Sequence, residues 1–468
     1  MRARCVQLGA PDDLTMPASN GKPVGGRRSP RHYYGFPAGT TILLVFVLLV
    51  TGALYLILGP SNSVLTLPAL RVVFNNPIHI SAAATPPPPP PPPSPPPPPP
   101  PSPPPPPPPA SNVIEEDIDG VGLPPPRQLG DPAYSLGSTV PDYDARRSAW
   151  LAAHPEFPAR VHPAGRPRVL LVTGSAPYRC PDPDGDHLLL RAFKNKADYC
   201  RVHGIEVFYN TAFLDHEMSG FWAKLPLLRS LMMAHPEVEF IWWMDSDAVF
   251  TDMAFELPWD RYAAHNLVVH GWEAKIYEQK SWVGINTGSF LLRNCQWSLD
   301  LLHAIAPMGA RGPVRDMHGE LFAKELSGRP PFEADDQSAL VYLLVTQRDK
   351  WGAKVFFENS YGLNGFWEII VDRYEEMRRK GQWPLVTHFV GCKPCRRYAD
   401  SYPADRCRLG MERAFNFADD QILKMYGFGH KSLNGTAVQR VGNDTGGPLD
   451  AEDEELRRLL HPTFRAAV

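Results

Sequence analysis

The sequence predicts an α/β domain built on a mostly parallel central sheet, and three features predict it. Short apolar runs alternate with amphipathic stretches along residues 166–430, the run from Phe240 to Met244 is apolar and aromatic throughout, and two aspartates stand just beyond it. A strand apolar on both faces belongs in the middle of such a sheet, because helices cover both sides.

Taken in order, "RVLLVTG" (Arg168 to Gly174) reads as the first strand, and its glycine opens a loop rich in Ser, Pro and Asp. A helix is expected over roughly His187 to His203, ended by Gly204, and the strand "IEVFYN" (Ile205 to Asn210) follows. The stretch "FWAKLPLLRSLMMAHP" carries apolar residues at helical spacing and stops at Pro236. It feeds "IWWMDSDAVF" (Ile241 to Phe250).

Asp-x-Asp spacing by itself says little here, since Asp117/Asp119, Asp142/Asp144, Asp182/Asp184 and Asp184/Asp186 share it in Pro- and Gly-rich loops. Context singles out Asp245 and Asp247. Residues i and i+2 of a strand face the same way, so both carboxylates are expected to project together at the strand's carboxyl end, where open α/β sheets hold ligands. Two hard oxygen donors suit Mg²⁺ or Mn²⁺, with substrate phosphates completing the site. The chain has no GxGxxG and no GxxxxGK[ST], which removes support for dinucleotide and Walker-type phosphate binding.

The 468 residues include 54 prolines, 22 of them gathered in one place. From Pro86 to Pro109 only Ser94 and Ser102 interrupt proline, which makes a polyproline II rod of roughly 75 Å at about 3.1 Å per residue. Upstream, Thr41 to Leu58 is an uncharged apolar run of 18 residues, long enough for a membrane anchor. Arg27, Arg28 and Arg31 precede it and the next basic residue is Arg71, so the positive-inside rule puts the N-terminus in the cytosol. The expected organisation is a cytosolic tail (1–37), a signal-anchor (38–59), a lumenal stem (60–165), a catalytic domain (166–430) and a C-terminal tail (431–468). Sequons at Asn434 and Asn443 fit that address. A net charge of −3, with no basic run in the folded part, gives no support for nucleic acid as a partner. Six of the seven cysteines fall on the lumenal side, where disulfides persist, and structural cysteines are the expectation for Cys392 and Cys395 as well.

"IWWMDSDAVFTDMAFELP", "NLVVHGW", "SWVGINTGSFLLRNCQWSLDLL", "FEADDQSALVYLL" and "THFVGCKPC", in that order, closely resemble glycosyltransferase family 34, the plant xyloglucan xylosyltransferases and galactomannan galactosyltransferases. The resemblance covers about Arg166 to Gly429. It implies a GT-A type fold and a Golgi enzyme that moves a sugar from a UDP-sugar to O6 of a β-1,4-linked backbone, with retention. It further implies that Asp245, Asp247 and His388 hold Mn²⁺ against the diphosphate and that Lys393 stabilises the leaving group. Ser246, Lys224, Gly174 and Ser175 are the other expected donor-side residues. A glycine at Gly174 would let the backbone come close to UDP.

"EADDQSALVYLL" reads as a helix entered through acids, where carboxylates serve the helix N-terminus. Glu333, Asp335 and Asp336 together exceed that need, and the resemblance has Asp335, Asp336 and Gln337 face the sugar and the acceptor. Trp272, Tyr277, Trp282, Tyr361, Trp367 and Trp383 offer rings on which sugar faces can stack, half of them expected in the core. UDP-xylose with a glucan is the first expectation and UDP-galactose with a mannan the second. A homo- or hetero-oligomer with related glycosyltransferases is a further expectation, and a structural wall protein, argued from the proline rod, and a noncatalytic assembly partner are the alternatives from other classes.

Overall fold

The computed structural model describes residues 125–161, 165–393, 395 and 402–441. The expected anchor, the proline rod, the stem before residue 125 and Asn443 lie outside the described residues. None of the described helices is long and apolar enough to cross a membrane.

A six-stranded sheet forms the centre. Its strands are β1 (Val169–Gly174), β2 (Glu206–Asn210), β3 (Phe240–Met244), β5 (Leu267–Gly271), β6 (Ile285–Arg293) and β7 (Val355–Glu358), in spatial order β2-β1-β3-β6-β5-β7. Five run parallel, and β6 alone runs against its neighbours β3 and β5. The amino end of β6 therefore lies at the carboxyl edge, beside the end of β3, where the Gly288 carbonyl accepts the Asp245 amide at 2.8 Å.

Every residue of β3 is buried, as its composition requires. Ile241 and Trp243 face a layer that includes Leu225, Leu228, Leu299 and Leu344, while Phe240, Trp242 and Met244 face Tyr199, Phe250 and Leu385. Each large side chain so buried contributes roughly 1.5–3 kcal/mol. The strand is thereby fixed in register, and with it the residues at its end.

Helices α2 (Gly185–His203), α3 (Lys224–Ala234), α4 (Gln296–Ile305) and α6 (Asp336–Thr346) cover the sheet, and α5 (Pro313–Glu325) precedes α6. A second, small sheet joins β4 (Ala248–Phe250), β8 (Gly365–Phe366) and β9 (Val386–His388), in the order β8-β9-β4. Its register sets Ala248 opposite His388. Helix α7 (Ala404–Leu423) closes over that sheet.

Two expected boundaries move. Residues 125–153, assigned to the stem, are latched to the domain: Arg127 pairs with Glu217, and Tyr143 at the start of helix α1 (Tyr143–Ala153) is buried and donates to Asn294 Oδ1 at 2.8 Å. Arg147 donates to the carbonyls of Pro236 and Val238. At the other end, β10 (Phe428–His430) and β11 (Val438–Arg440) form a hairpin that carries the fold past residue 430. Leu433 within it is buried.

Candidate active site

Strand β3 ends at Met244, and Asp245 to Asp247 make a turn that leads into β4, with the Ala248 amide donating to the Asp245 carbonyl at 3.2 Å. The two carboxylates thus converge through a turn, not through the two-residue alternation of a strand. His388 reaches the same place because β9 pairs with β4. Its Nε2 lies 3.3 Å from Asp247 Oδ1 and 3.7 Å from Asp245 Oδ2.

Gly288 makes room for this imidazole. A Cβ there would stand 2.1 Å from His388 Cε1 and 2.4 Å from Nδ1. One ligand atom from each of Asp245, Asp247 and His388 falls within 4.8 Å of the others, close enough for a single ion. His388 Nδ1 is buried with no hydrogen-bond partner, so the ring spends its polar contacts on the carboxylate side. Two carboxylate oxygens and an imidazole nitrogen are a donor set for a divalent cation. Burial works against a charged His388, but Asp247 first and Asp245 after it outweigh that effect and raise its pKa above 6.5.

The other half of the site comes from α3 and α6. Lys224, the first residue of α3, is 3 % exposed, and its Nζ lies 2.9 Å from Asp336 Oδ2 and 3.5 Å from Asp245 Oδ1. The two helix starts meet because Trp222, fully buried just before α3, donates to the Ala334 carbonyl just before α6 at 2.9 Å. Burial lowers the Lys224 pKa, yet Asp245 and Asp336 together bring it above its ordinary value. Trp243 Nε1 donates to the same Asp245 Oδ1 at 2.6 Å.

Asp335 and Asp336 take different places. Asp335 is the N-cap of α6: it accepts the Ser338 amide at 2.8 Å and the Ser338 hydroxyl at 2.6 Å, and it pairs with buried Arg329 at 3.0 Å. Both of its oxygens are engaged within the fold. Gln337 is likewise engaged, donating to the Trp282 carbonyl at 2.9 Å. Asp336 alone of the three is turned to the cluster.

Gly174 and Ser175 sit at the carboxyl edge, but the glycine has a reason other than ligand approach. A Cβ there would meet the Asn210 carbonyl of β2 at 2.4 Å. The Ser175 hydroxyl accepts from Tyr209 Oη at 3.0 Å. Lys393 is exposed, on a segment held at both ends by disulfides: Cys392 to Cys407 and Cys395 to Cys180. The CxxC spacing is neither a redox pair nor a zinc half-site. Ser246 lies in the turn itself.

The decoy aspartates have local duties. Asp144 accepts the Gln296 amide, Asp182 pairs with Arg408, and Asp186 accepts the Cys180 amide. Asp117 and Asp119 lie outside the described residues. Of the aromatic residues considered for an acceptor, Tyr361 and Trp367 are buried, and Trp383 packs beneath α7 against Phe417. Trp272, Tyr277 and Trp282 are half-buried, and Trp282 lies beside Gln337. Sequence reasoning passed over Lys196, Trp243, Gly288 and Arg329. Trp243 and Gly288 had a signal, their places in the quoted "IWWMDSDAVF" motif and in the "NTGS" stretch of another.

A paired-carboxylate and imidazole cluster at the carboxyl edge of a mostly parallel sheet, with further acid and lysine beside it, defines the class of nucleotide-sugar glycosyltransferases. A family model described as the galactosyl transferase GMA12/MNN10 family matches residues 165–399, and the chain belongs to that family, glycosyltransferase family 34. It is 73% identical to "Probable glycosyltransferase 5" of Oryza sativa subsp. indica, over 97% of this chain and 99% of that protein. It is 61% identical to "Xyloglucan 6-xylosyltransferase 1" of Arabidopsis thaliana, over 71% of this chain and 73% of that protein. Among solved structures, a glycosyltransferase involved in glycosylation of the major capsid of PBCV-1 covers 53% of this chain and 99% of its own at 15% identity. Its TM-score of 0.34 is too low to add to the fold assignment.

Proposed function

We propose that the protein transfers xylose from UDP-xylose to O6 of a β-1,4-glucan backbone with retention, building the α-1,6 branches of xyloglucan. We further propose that it works with Mn²⁺ on a GT-A type fold, as a type II membrane protein of the Golgi with its catalytic domain in the lumen. The observation that carries the substrate assignment is the 61% identity to a xyloglucan 6-xylosyltransferase.

Asp245, Asp247 and His388 would hold the Mn²⁺, which when bound offsets the charge growing on the departing UDP. Lys393 adds a compact cation for the same leaving group. Asp336, held by Lys224, supplies negative charge for a sugar that becomes positive in the transition state. Gly174, Ser175 and Ser246 lie on the donor side. Gln337 and Trp282 support the acceptor side.

The family model's description as a galactosyl transferase favours one second reading, UDP-galactose on a mannan backbone. The deciding experiment uses the full chain in detergent micelles, offered UDP-xylose or UDP-galactose with cellohexaose or mannohexaose. Xylosylated cellohexaose, with activity lost by orders of magnitude in Asp247→Ala, is the expected result. Galactosylated mannohexaose alone would select the second reading. No transfer from either donor would leave an assembly partner.

A further inference from the structure

Strand β4 has β9 on one edge only; on its other edge lie the side chains of helix α2. Asn195 binds Phe250 twice, accepting its amide at 2.7 Å and donating to its carbonyl at 2.9 Å. Lys196, the next residue, is 1% exposed, and its Nζ donates to the Ala248 carbonyl at 2.6 Å and lies 3.4 Å from that of Ser246. Two side chains thus stand in for a missing strand along the segment that carries the Asp245–Asp247 turn.

A fully buried lysine is rare, and a neutral amide would satisfy one carbonyl without the cost of burying a charge. No carboxylate of the described residues forms an ion pair with Lys196. Burial pushes its pKa down to about 8, against the opposing charges of Asp247 and Asp245, so it keeps its proton near neutral pH. What the ammonium offers over an amide is a third donor, no acceptor oxygen left to satisfy, and a longer arm. It reaches the carbonyls of both Ser246 and Ala248, one between the two aspartates and one just after them.

We propose that Lys196 is a positioning residue for the metal-binding turn, fixing the separation of Asp245 and Asp247 from beneath through the carbonyls of Ser246 and Ala248. The inference rests on the metal site proposed above. It also makes a prediction of definite sign. A buried cation near a metal site repels the metal, so if charge were its only influence, removing it would tighten Mn²⁺ binding. If it acts through the carbonyls, removal loosens the ligand pair and weakens binding.

The test is calorimetric titration of Mn²⁺ into the full chain in detergent micelles with UDP present, for the native protein, Lys196→Met and Lys196→Gln. A tenfold or greater rise in the Mn²⁺ dissociation constant of Lys196→Met is expected. The Mn²⁺ concentration for half-maximal activity should rise in parallel, with a smaller fall in turnover at saturating metal. Lys196→Gln keeps a shorter donor and should recover part of the loss; it also carries the test if the Met variant does not fold. Unchanged Mn²⁺ affinity in a folded but less heat-stable variant would reduce Lys196 to core structure and overturn the proposal. Tighter binding would overturn it in favour of a charge effect. Native protein that binds no Mn²⁺ would overturn the metal site and this inference with it, whereas native binding with unaltered variants removes the inference alone.

Discussion

Lys224 Nζ lies 2.9 Å from Asp336 Oδ2, so the first residue of one helix and the first residue of another are tied by a buried ion pair at the edge of the metal cluster. The same ammonium is 3.5 Å from Asp245. Removing one partner of a buried pair leaves the other charge uncompensated, at a cost of roughly 3–5 kcal/mol. Lys224→Met should therefore lower the stability of the metal-free protein by about that amount, measured by urea denaturation, as well as abolish transfer. A variant that loses activity but keeps its urea midpoint would make Lys224 a donor contact only.

Asp335 and Asp336 should separate in kinetics. Asparagine caps a helix as well as aspartate does, but Asp335→Asn discharges the partner of buried Arg329, so roughly 1–3 kcal/mol of stability should go while kcat stays near normal. Asp336→Asn should lower kcat about a hundredfold to ten-thousandfold with little change in donor affinity. Equal kcat values for the two variants, with UDP-xylose and cellohexaose, would contradict the division of labour.

Gly288→Ala tests the seat of the imidazole. With a Cβ placed 2.1 Å from the ring, either His388 rotates out of the cluster or β6 moves away from β3. Mn²⁺ affinity should drop at least tenfold, with a loss of roughly 1–3 kcal/mol from overpacking. Native-like Mn²⁺ binding in this variant would remove His388 from the ligand set.

The pH dependence follows from the raised pKa of His388. Without metal, the protonated ring between two carboxylates adds stability that is full below about 6.5, the unfolded value, and is lost as pH rises through the higher folded value. A metal needs the neutral ring, so its affinity runs the other way and falls as pH drops through that same value. The rise in melting temperature on adding Mn²⁺ should accordingly grow with pH. His388→Gln should flatten that trend; a Mn²⁺ effect that stays constant across the range, in the native protein, would speak against ligation by this ring.

Topology is checked separately. Protease added to intact microsomes should leave the domain whole and digest it only once detergent is present. Digestion without detergent would reverse the proposed orientation.

The centre of the fold was legible in the chain because local chemistry dictates it. Five consecutive apolar residues, Phe240 to Met244, rich in aromatics, suit a strand buried on both faces, and Asp245 and Asp247 stand out from the decoy pairs because they follow that strand. His388 was reached through a resemblance, since an isolated histidine at the end of a short strand carries no spacing signal of its own. Lys393 and the cysteines around it were visible as a motif, but their partners were not.

What only the tertiary structure decided are the contacts between residues far apart in the chain. Sequence placed Asp335, Asp336 and Gln337 together in the site; Arg329 and Ser338 claimed the first, the Trp282 carbonyl claimed the third, and Lys224 left Asp336 facing the cluster. Likewise nothing in the sequence around residue 143 announces that Tyr143 lodges between Met232 and Asn294, which makes part of the expected stem a piece of the domain. The physical reason is the same in each case. Periodicity and turn chemistry report the preferences of neighbouring residues, whereas which acid a buried lysine or arginine neutralises depends on how helices and strands pack, and a buried charge must find its partner wherever that packing places one.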